Sequence, residues 1–289
     1  MSTGDVLLAS TVDEAVEALA ARPESLVLAG GTDVMVELNE RRRRAPVAVI
    51  AVDRLAELAS WSHDPRANTV TIGAGVRWRE IERGPLGTLV PALAQAARTV
   101  GSPQIRQAGT VGGNLGTCSP AGDGLPPLAA LDAVVHLRST AGQRDLSFAD
   151  FMVGPKRSAR RPDELVTGVT VPAADGWQGY AKVGVRNAMV ISIASAALVH
   201  HRPSSSVRIA LGSVGPVILR CSEAEGYLAE QVDLSIARPV VTESEAERAA
   251  ELVRAAARPI DDHRSTAEYR RHAVGVLAAR LLRGAFDHA

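Results

Sequence analysis

The stretch AGTVGGNLGTCSPAGDGLPPLAALDA, residues 108–133, decides the reading of this chain. It holds six glycines, three prolines, one Asn, one Ser, two Thr and two Asp, with no Lys or Arg. Gly109, Gly112, Gly113 and Gly116 let the main chain turn sharply and let a large ligand approach it without meeting a Cβ. Amide N–H groups in such a loop, joined by the hydroxyls of Thr110, Thr117 and Ser119, hold a diphosphate with no side-chain cation. Asn114 either tightens the turn or donates to a phosphate oxygen. Asp123 suits a different part of a ligand, because a carboxylate accepts from ribose hydroxyls and repels phosphate.

Upstream, Leu26 to Ala29 is a short apolar strand that runs into GGTDVM, so a second glycine loop follows a strand. The spacing G-x-x-G-G-x-x-G is neither the dinucleotide fingerprint G-x-G-x-x-G nor a Walker loop, and Gly73 to Gly75 is too short to count. Either loop alone reads equally well as a tight structural turn. Two in one domain, both rich in Gly and Thr, favour a ligand.

At 289 residues and 46% hydrophobic side chains the chain is long enough for a sizeable core and for two domains. The 32 basic and 32 acidic residues balance, which argues against a general nucleic-acid or acidic-membrane binder. Arg41 to Arg44 is the one basic run and reads as a solvated loop. Cys118 and Cys221 stand far apart, so no disulfide framework, zinc site or iron–sulfur motif can be written, and a reducing cytoplasm fits. No apolar stretch approaches the roughly 20 residues of a membrane span, and the opening MSTGDVLLASTVDEA carries no export pattern.

The chain opens as helix then strand: Thr11 with Glu14 has capping-box spacing, and Val12, Ala15, Val16, Leu19 and Ala20 form a helical stripe. Strands are expected at Val47 to Val52 and Thr69 to Gly73, helices at Val76 to Gly84 and Val90 to Val100. A helix-to-strand passage is expected over Ala129 to Leu137, and a strand over Glu164 to Val171 closed by Pro172. The domain boundary falls near Pro172 to Gly179. Beyond it Tyr180 to Val185, Ile193 to His200 and Val207 to Ser213 read as an antiparallel sheet, and three helices close the chain. Ser222 with Glu225, Thr242 with Glu245 and Ser265 with Glu268 have capping-box spacing, and Tyr269, Ala273, Val276, Leu277 and Leu281 mark the face of the last helix that packs on the sheet. His200 and His201 point to opposite faces of a strand, which disfavours a shared metal.

LAGGTDVM (28–35) and IRQAGTVGGNLGTCSPAGDGLPPLAALDA (105–133) resemble the two FAD-binding segments of the flavin, or medium, subunit of molybdenum hydroxylases of the xanthine and carbon monoxide dehydrogenase type. GYAKVGVRNAMVISIASAA (179–197), ALGSVGPVILR (210–220) and STAEYRRHAVGVLAARLL (265–282) are similar to that family's C-terminal domain. The resemblance implies an α+β chain. A two-subdomain α/β FAD-binding domain of the vanillyl-alcohol-oxidase-like type would span 1–173, divided at about 55. A smaller domain of antiparallel sheet plus helices would span 174–289. By position it places Ala29, Gly30, Gly31, Thr32, Asp33 and Val34 around the FAD pyrophosphate, joined by Thr110, Gly112, Gly113, Asn114 and Thr117. Asp123 would take the adenosine ribose, while Val100, Leu165 and Lys182 would border FAD. Lys182 is expected near the isoalloxazine, where a cation favours reduced, anionic flavin; an ordinary exposed lysine is the alternative. Where the family commonly has IRN this chain has Ile105, Arg106 and Gln107, which keeps a polar loop contact and leaves its geometry open. Aromatic residues make up only 3%, and Tyr180 and Trp177 are candidates to stack on the flavin only by their place near the domain junction, with packing the favoured role of both.

The implied function is electron transfer: FAD would take electrons from a [2Fe–2S] subunit and pass them to NAD+, a quinone or oxygen, with a molybdopterin subunit oxidising the substrate. The implied assembly is a heterotrimer, and a dimer of heterotrimers fits the family. A stand-alone FAD-dependent oxidoreductase with its own small substrate is the alternative enzyme. A binding or scaffold protein that keeps the fold without turnover is the alternative of another class.

Overall fold

Residues 5–288 are described by the computed structural model. The first unit runs β1 (Asp5–Leu8), α1 (Val12–Ala21), β2 (Leu26–Leu28), α2 (Val34–Asn39) and β3 (Ala48–Ala51). Its three strands are parallel in the order β1-β3-β2. Val12, Ala15, Val16 and Leu19 of α1 meet Ile50 of β3 in a core that also takes in Leu55, Leu58 and Leu165. β1 lay outside the sequence expectation; Val6 and Leu8 are exposed, and pairing with β3 together with Leu7, packed on the core, holds it. At the start of α1 the Thr11 hydroxyl accepts from the Glu14 N–H, but the Glu14 carboxylate accepts from Ser10, so only half of the expected box forms.

The second unit holds β4 (Trp61–Asp64), β5 (Thr69–Gly73), α3 (Trp78–Arg83), α4 (Leu86–Leu89), α5 (Pro91–Thr99), α6 (Pro103–Ala108), α7 (Val111–Thr117), α8 (Leu125–Ala130), β6 (Val134–Ser139) and β7 (Gly142–Ser147). α9 (Phe148–Phe151), the short hairpin β8 (Met152–Gly154) and β9 (Arg157–Ser158), and β10 (Leu165–Pro172) complete it. Its antiparallel sheet has the order β4-β5-β10-β6-β7. β5 and β10 stand where expected.

The third unit is the antiparallel sheet β11 (Gln178–Val183), β12 (Ala194–His201), β13 (Ser206–Gly212) and β14 (Leu219–Arg220) with three helices, α10 (Ser222–Gln231), α11 (Glu243–Ala256) and α12 (Ala267–Ala285). The two-residue strands β15 (Val240–Val241) and β16 (Asp287–His288) pair beside them. β12 is buried along nearly its whole length because both faces of the sheet are covered. Tyr180, Ala197, Val199 and Ala210 join the core of the second unit, while Ala196, Leu198, Ile209 and Leu211 meet the three helices. Each fully buried aliphatic side chain here is worth about 1.5–3 kcal/mol, so one sheet anchors two cores.

Three expected caps resolve differently. Thr242 and Glu245 form the complete box. Ser222 caps nothing; α10 starts at Cys221 without a side-chain cap, and Glu225 instead accepts from Arg220 and the Ile209 N–H. Thr266, one residue after Ser265, caps α12. The buried face of α12 keeps Ala273, Leu277 and Leu281 of the expected stripe and adds Arg270, Val274, Ala278 and Leu282, while Tyr269 is exposed and Val276 half-buried.

Candidate functional site

β2 delivers residues 29–33 as a turn before α2. Gly31 takes φ +68°, the left-handed region that favours glycine. At Gly30 an added Cβ would sit 1.8 Å from the Ala108 carbonyl oxygen, so the two glycine-rich segments touch main chain to main chain. A hydrogen bond of 2.7 Å from Thr117 Oγ1 to Asp33 Oδ2 stitches them again, and Thr32 lies beside Gly109. The main-chain N–H groups of Gly30, Gly31, Thr32 and Asp33 donate to no acceptor among the described residues. Four consecutive unpaired donors on one turn are an anion site in waiting.

The second segment contributes less charge than its sequence promised. The N–H groups that open α7 are already bonded: Val111 to the Val76 carbonyl at 3.0 Å, Gly112 to Ala74 at 2.7 Å and Gly113 to Thr110 Oγ1 at 2.9 Å. The expectation that the amides of Gly112 and Gly113 hold a diphosphate is therefore corrected; capping and sheet contacts consume them. Their role is shape. Gly112 presses on Ala74, with an added Cβ 2.6 Å from that residue's Cβ. A Cβ on Gly113 would meet only Thr110 Oγ1, at 3.1 Å, and one on Gly116 nothing within 4 Å. These two glycines front open space beside the first loop's helix partner. Asn114 faces Gly122 and Gly124, and its Oδ1 is buried without a hydrogen-bond partner.

A polar cluster closes the far side. Asp123, in the loop after α7, accepts from Lys182 Nζ at 2.6 Å and from the Tyr180 hydroxyl at 3.0 Å. Lys182 also donates to the Thr99 carbonyl at 3.1 Å, next to Val100. The Lys182 and Asp123 side chains are only 6% and 7% exposed, so the alternative of an ordinary solvated lysine is excluded. Burial pulls the Asp123 carboxyl above its usual range, opposed by Lys182, Tyr180 and Thr99. Burial, with the charge of Asp123, raises the Tyr180 hydroxyl well above its ordinary value and keeps it a donor.

Asp123 and Lys182 had been given opposite ends of FAD, the adenosine ribose and the isoalloxazine. One ion pair of 2.6 Å cannot serve both ends, because the pyrophosphate lies between them. Val100 is held near the pair by Arg106, which bonds the Val100 and Gly101 carbonyls and pairs with Glu82 at 2.9 Å. Arg106, shared with the family's IRN, thus makes the polar loop contact, and the departure is confined to Gln107. Leu165 stands apart: it is buried in the core of the first unit, against which Ala29 also packs. Sequence reasoning favoured packing for Tyr180 and did not find its polar role. Its signal was its place two residues before Lys182 on a strand, which puts both side chains on one face.

FAD fits this arrangement. Its pyrophosphate suits the unpaired amides of 30–33, its bulk suits the open side of Gly113, and the orphaned Asn114 oxygen awaits a donor. Nothing here suits a resident metal. No group of three His, Cys, Asp or Glu side chains gathers among the described residues. His200 and His201 bond separately, to the Leu234 carbonyl and to Ser204. Burial pushes the Cys118 thiol up to about 11 and Cys221 to about 12, so neither is a ready thiolate.

Residues 2–174 match the family described as the FAD binding domain in molybdopterin dehydrogenase, and 180–285 the CO dehydrogenase flavoprotein C-terminal domain. The nicotinate dehydrogenase FAD-subunit of Eubacterium barkeri is 40% identical over 173 residues, 58% of this chain and 57% of that protein. The glyceraldehyde dehydrogenase medium chain of Sulfolobus acidocaldarius is 29% identical over 280 residues, 95% of each chain. Among solved structures, carbon monoxide dehydrogenase from Hydrogenophaga pseudoflava superposes with a TM-score of 0.86 at 27% identity, covering 98% of this chain and 96% of its own. The chain belongs to the family of FAD-binding subunits of molybdopterin dehydrogenases, and it is an oxidoreductase subunit whose cofactor is FAD.

Proposed function

We propose that this chain is the electron-transfer subunit of a heterotrimeric molybdenum hydroxylase, taking electrons from a [2Fe–2S] subunit and passing them to NAD+, a quinone or oxygen. The observation that carries the reading is the junction of the two glycine loops, where unpaired amides of 30–33 meet the open face of α7. Medium-chain relatives that match along almost their whole length support the subunit role, among them the nicotine 6-hydroxylase medium subunit of Paenarthrobacter nicotinovorans. Bound FAD accepts electrons singly or in pairs, which joins a one-electron carrier to a two-electron acceptor.

The protein's own residues bind and orient. Ala29 to Val34 would hold the pyrophosphate, chiefly through the unpaired N–H groups of 30–33, with Thr110, Gly112, Gly113, Asn114 and Thr117 as the wall beside it. Val100 and the Asp123–Lys182 pair would border the ring end, where the third N–H of the Lys182 ammonium, beyond those given to Asp123 and Thr99, would be available to the flavin. Asp123 thereby moves from the ribose to the flavin side. Leu165 supports the first loop from behind, in the core against which Ala29 packs. Residues 1–173 form the FAD-binding domain, in two subdomains, and 174–289 the domain that covers the flavin. The complex is read as cytoplasmic and as a dimer of heterotrimers; no described helix is long and apolar enough to cross a membrane.

The test is purification of the tagged full-length chain from its native host, with iron, labile sulfide and molybdenum measured in the same fraction. Stoichiometric recovery of all three, with flavin absorbance bleached when the complex meets its reducing substrate, supports the reading. A flavin-loaded chain free of iron and molybdenum that turns over a small substrate alone would replace it with a stand-alone oxidoreductase.

A further inference from the structure

Tyr180, Asp123 and Lys182 come from two parts of the chain that are distant in sequence, yet they form one hydrogen-bonded cluster, with Thr99 and Ser195 at its edge. Tyr180 and Lys182 project from the same face of β11, opposite Ala197 and Ser195 of β12, toward the second unit. The main-chain N–H of Tyr180 is tied to Gln95 Oε1 at 2.8 Å, which fixes the strand against α5. From there the phenol donates to one carboxylate oxygen of Asp123 and the ammonium to the other. Water screens neither charge, since both side chains are almost fully buried. A lone ammonium in that setting projects its field over several ångströms, whereas an ammonium paired at 2.6 Å presents a dipole whose field falls off faster.

We propose that Tyr180, Asp123 and Lys182 act as one electrically neutral unit beside the flavin, in which Tyr180 is a positioning residue that holds the Asp123 carboxylate against the Lys182 ammonium, so that the flavin senses the balance of the pair and not a free cation. The proposal rests on the reading of Lys182 as a neighbour of the flavin. It also changes what a single substitution means. Lys182→Met does not simply delete a cation; it strands a buried carboxylate, and Asp123→Asn strands a buried ammonium. Tyr180→Phe keeps both charges and the ring, and removes the hydrogen bond that helps keep the carboxylate ionised, together with the hydroxyl's contacts to Ser195 and Thr99.

The experiment is spectroelectrochemical titration of the FAD-loaded full-length chain and of Asp123→Asn, Lys182→Met, Tyr180→Phe and the double variant Asp123→Asn/Lys182→Met, with flavin content measured on each. Asp123→Asn is expected to shift the midpoint potential positive, because an uncompensated cation favours anionic reduced flavin, and Lys182→Met to shift it negative. The double variant is expected to return towards the wild-type value, and Tyr180→Phe to move in the direction of Asp123→Asn by a smaller amount with flavin retained. A double variant shifted as far as Lys182→Met would overturn the proposal, since Lys182 would then act alone. Wild-type potentials in all flavin-loaded variants would overturn it as well, and so would a folded double variant that no longer retains FAD. If the charge variants fail to fold, an unchanged potential in Tyr180→Phe alone refutes it. A wild-type chain that takes up no FAD would sink the flavin reading itself, a result distinct from all of these.

Discussion

Gly30 and Gly113 are both glycines of the site, yet they are glycine for opposite reasons. Gly30 is hemmed in by the Ala108 carbonyl, so any side chain there pushes the two loops apart. Gly113 has room on the protein side, with only Thr110 Oγ1 near, and its bareness matters to what lies beyond. Gly113→Val is therefore expected to abolish FAD retention while leaving a cooperative unfolding transition, read by flavin content after gel filtration and by circular dichroism. An unchanged flavin stoichiometry would remove Gly113 from the site. Both glycines were legible in the sequence as bare backbone, but which of them faces the ligand was not, because that depends on a carbonyl 78 residues away in the chain. The same limit hid the partners of Asp123. Its type fitted a ribose, and only the approach of β11 from the third unit shows that its two oxygens accept from Tyr180 and Lys182.

Elements with their own local signals were read well: β5 and β10 from apolar runs closed by turns, α11 from the Thr242 and Glu245 box. Thr242→Ala is expected to cost about 1 kcal/mol, visible as a lower Tm, because it frees the first-turn N–H that the hydroxyl satisfies. Elements held by partners elsewhere were not legible. β7 is largely polar, and beyond its pairing with β6 it is pinned by Arg144, which grips Glu164 in a two-point contact ahead of β10. The hydrogen bond from Arg144 holds the Glu164 carboxyl below its ordinary value against the effect of burial. A depressed folded pKa means that this stabilisation is present above about pH 4.3, the ordinary glutamate value, and is lost as pH falls through the folded value. Glu164→Gln should cost on the order of 1.5–3 kcal/mol at neutral pH, less at pH 3, and so flatten the acid limb of the stability profile. An equal loss at both pH values would show that packing, not charge, is what the glutamate supplies.

At the scale of the molecule, the sheet β11-β12-β13-β14 is the wall between the loop that carries Asp123 and the three closing helices. Its small residues set how closely the wall approaches the cofactor side. Ala197→Leu, fully buried on that side, is expected to cost about 1–3 kcal/mol by overpacking and to loosen FAD as the sheet is pushed back. Calorimetry with flavin content checks both, and a destabilised variant that keeps full FAD would mean that the wall's spacing does not matter to the site. The sequence told that a sheet covered by helices follows Pro172 to Gly179; it could not tell that the same sheet's other face completes the core of the preceding unit, since β12 reads as a nearly unbroken apolar run whichever face it buries.

The most direct measurement is the visible spectrum of the purified full-length chain before and after addition of FAD, with the released flavin identified by chromatography. The account predicts a flavin spectrum, about one FAD per chain, and no FMN, since the unpaired amides of 30–33 and the open face of Gly113 are built for a diphosphate. A folded chain that binds no flavin, or binds FMN as well as FAD, would contradict it.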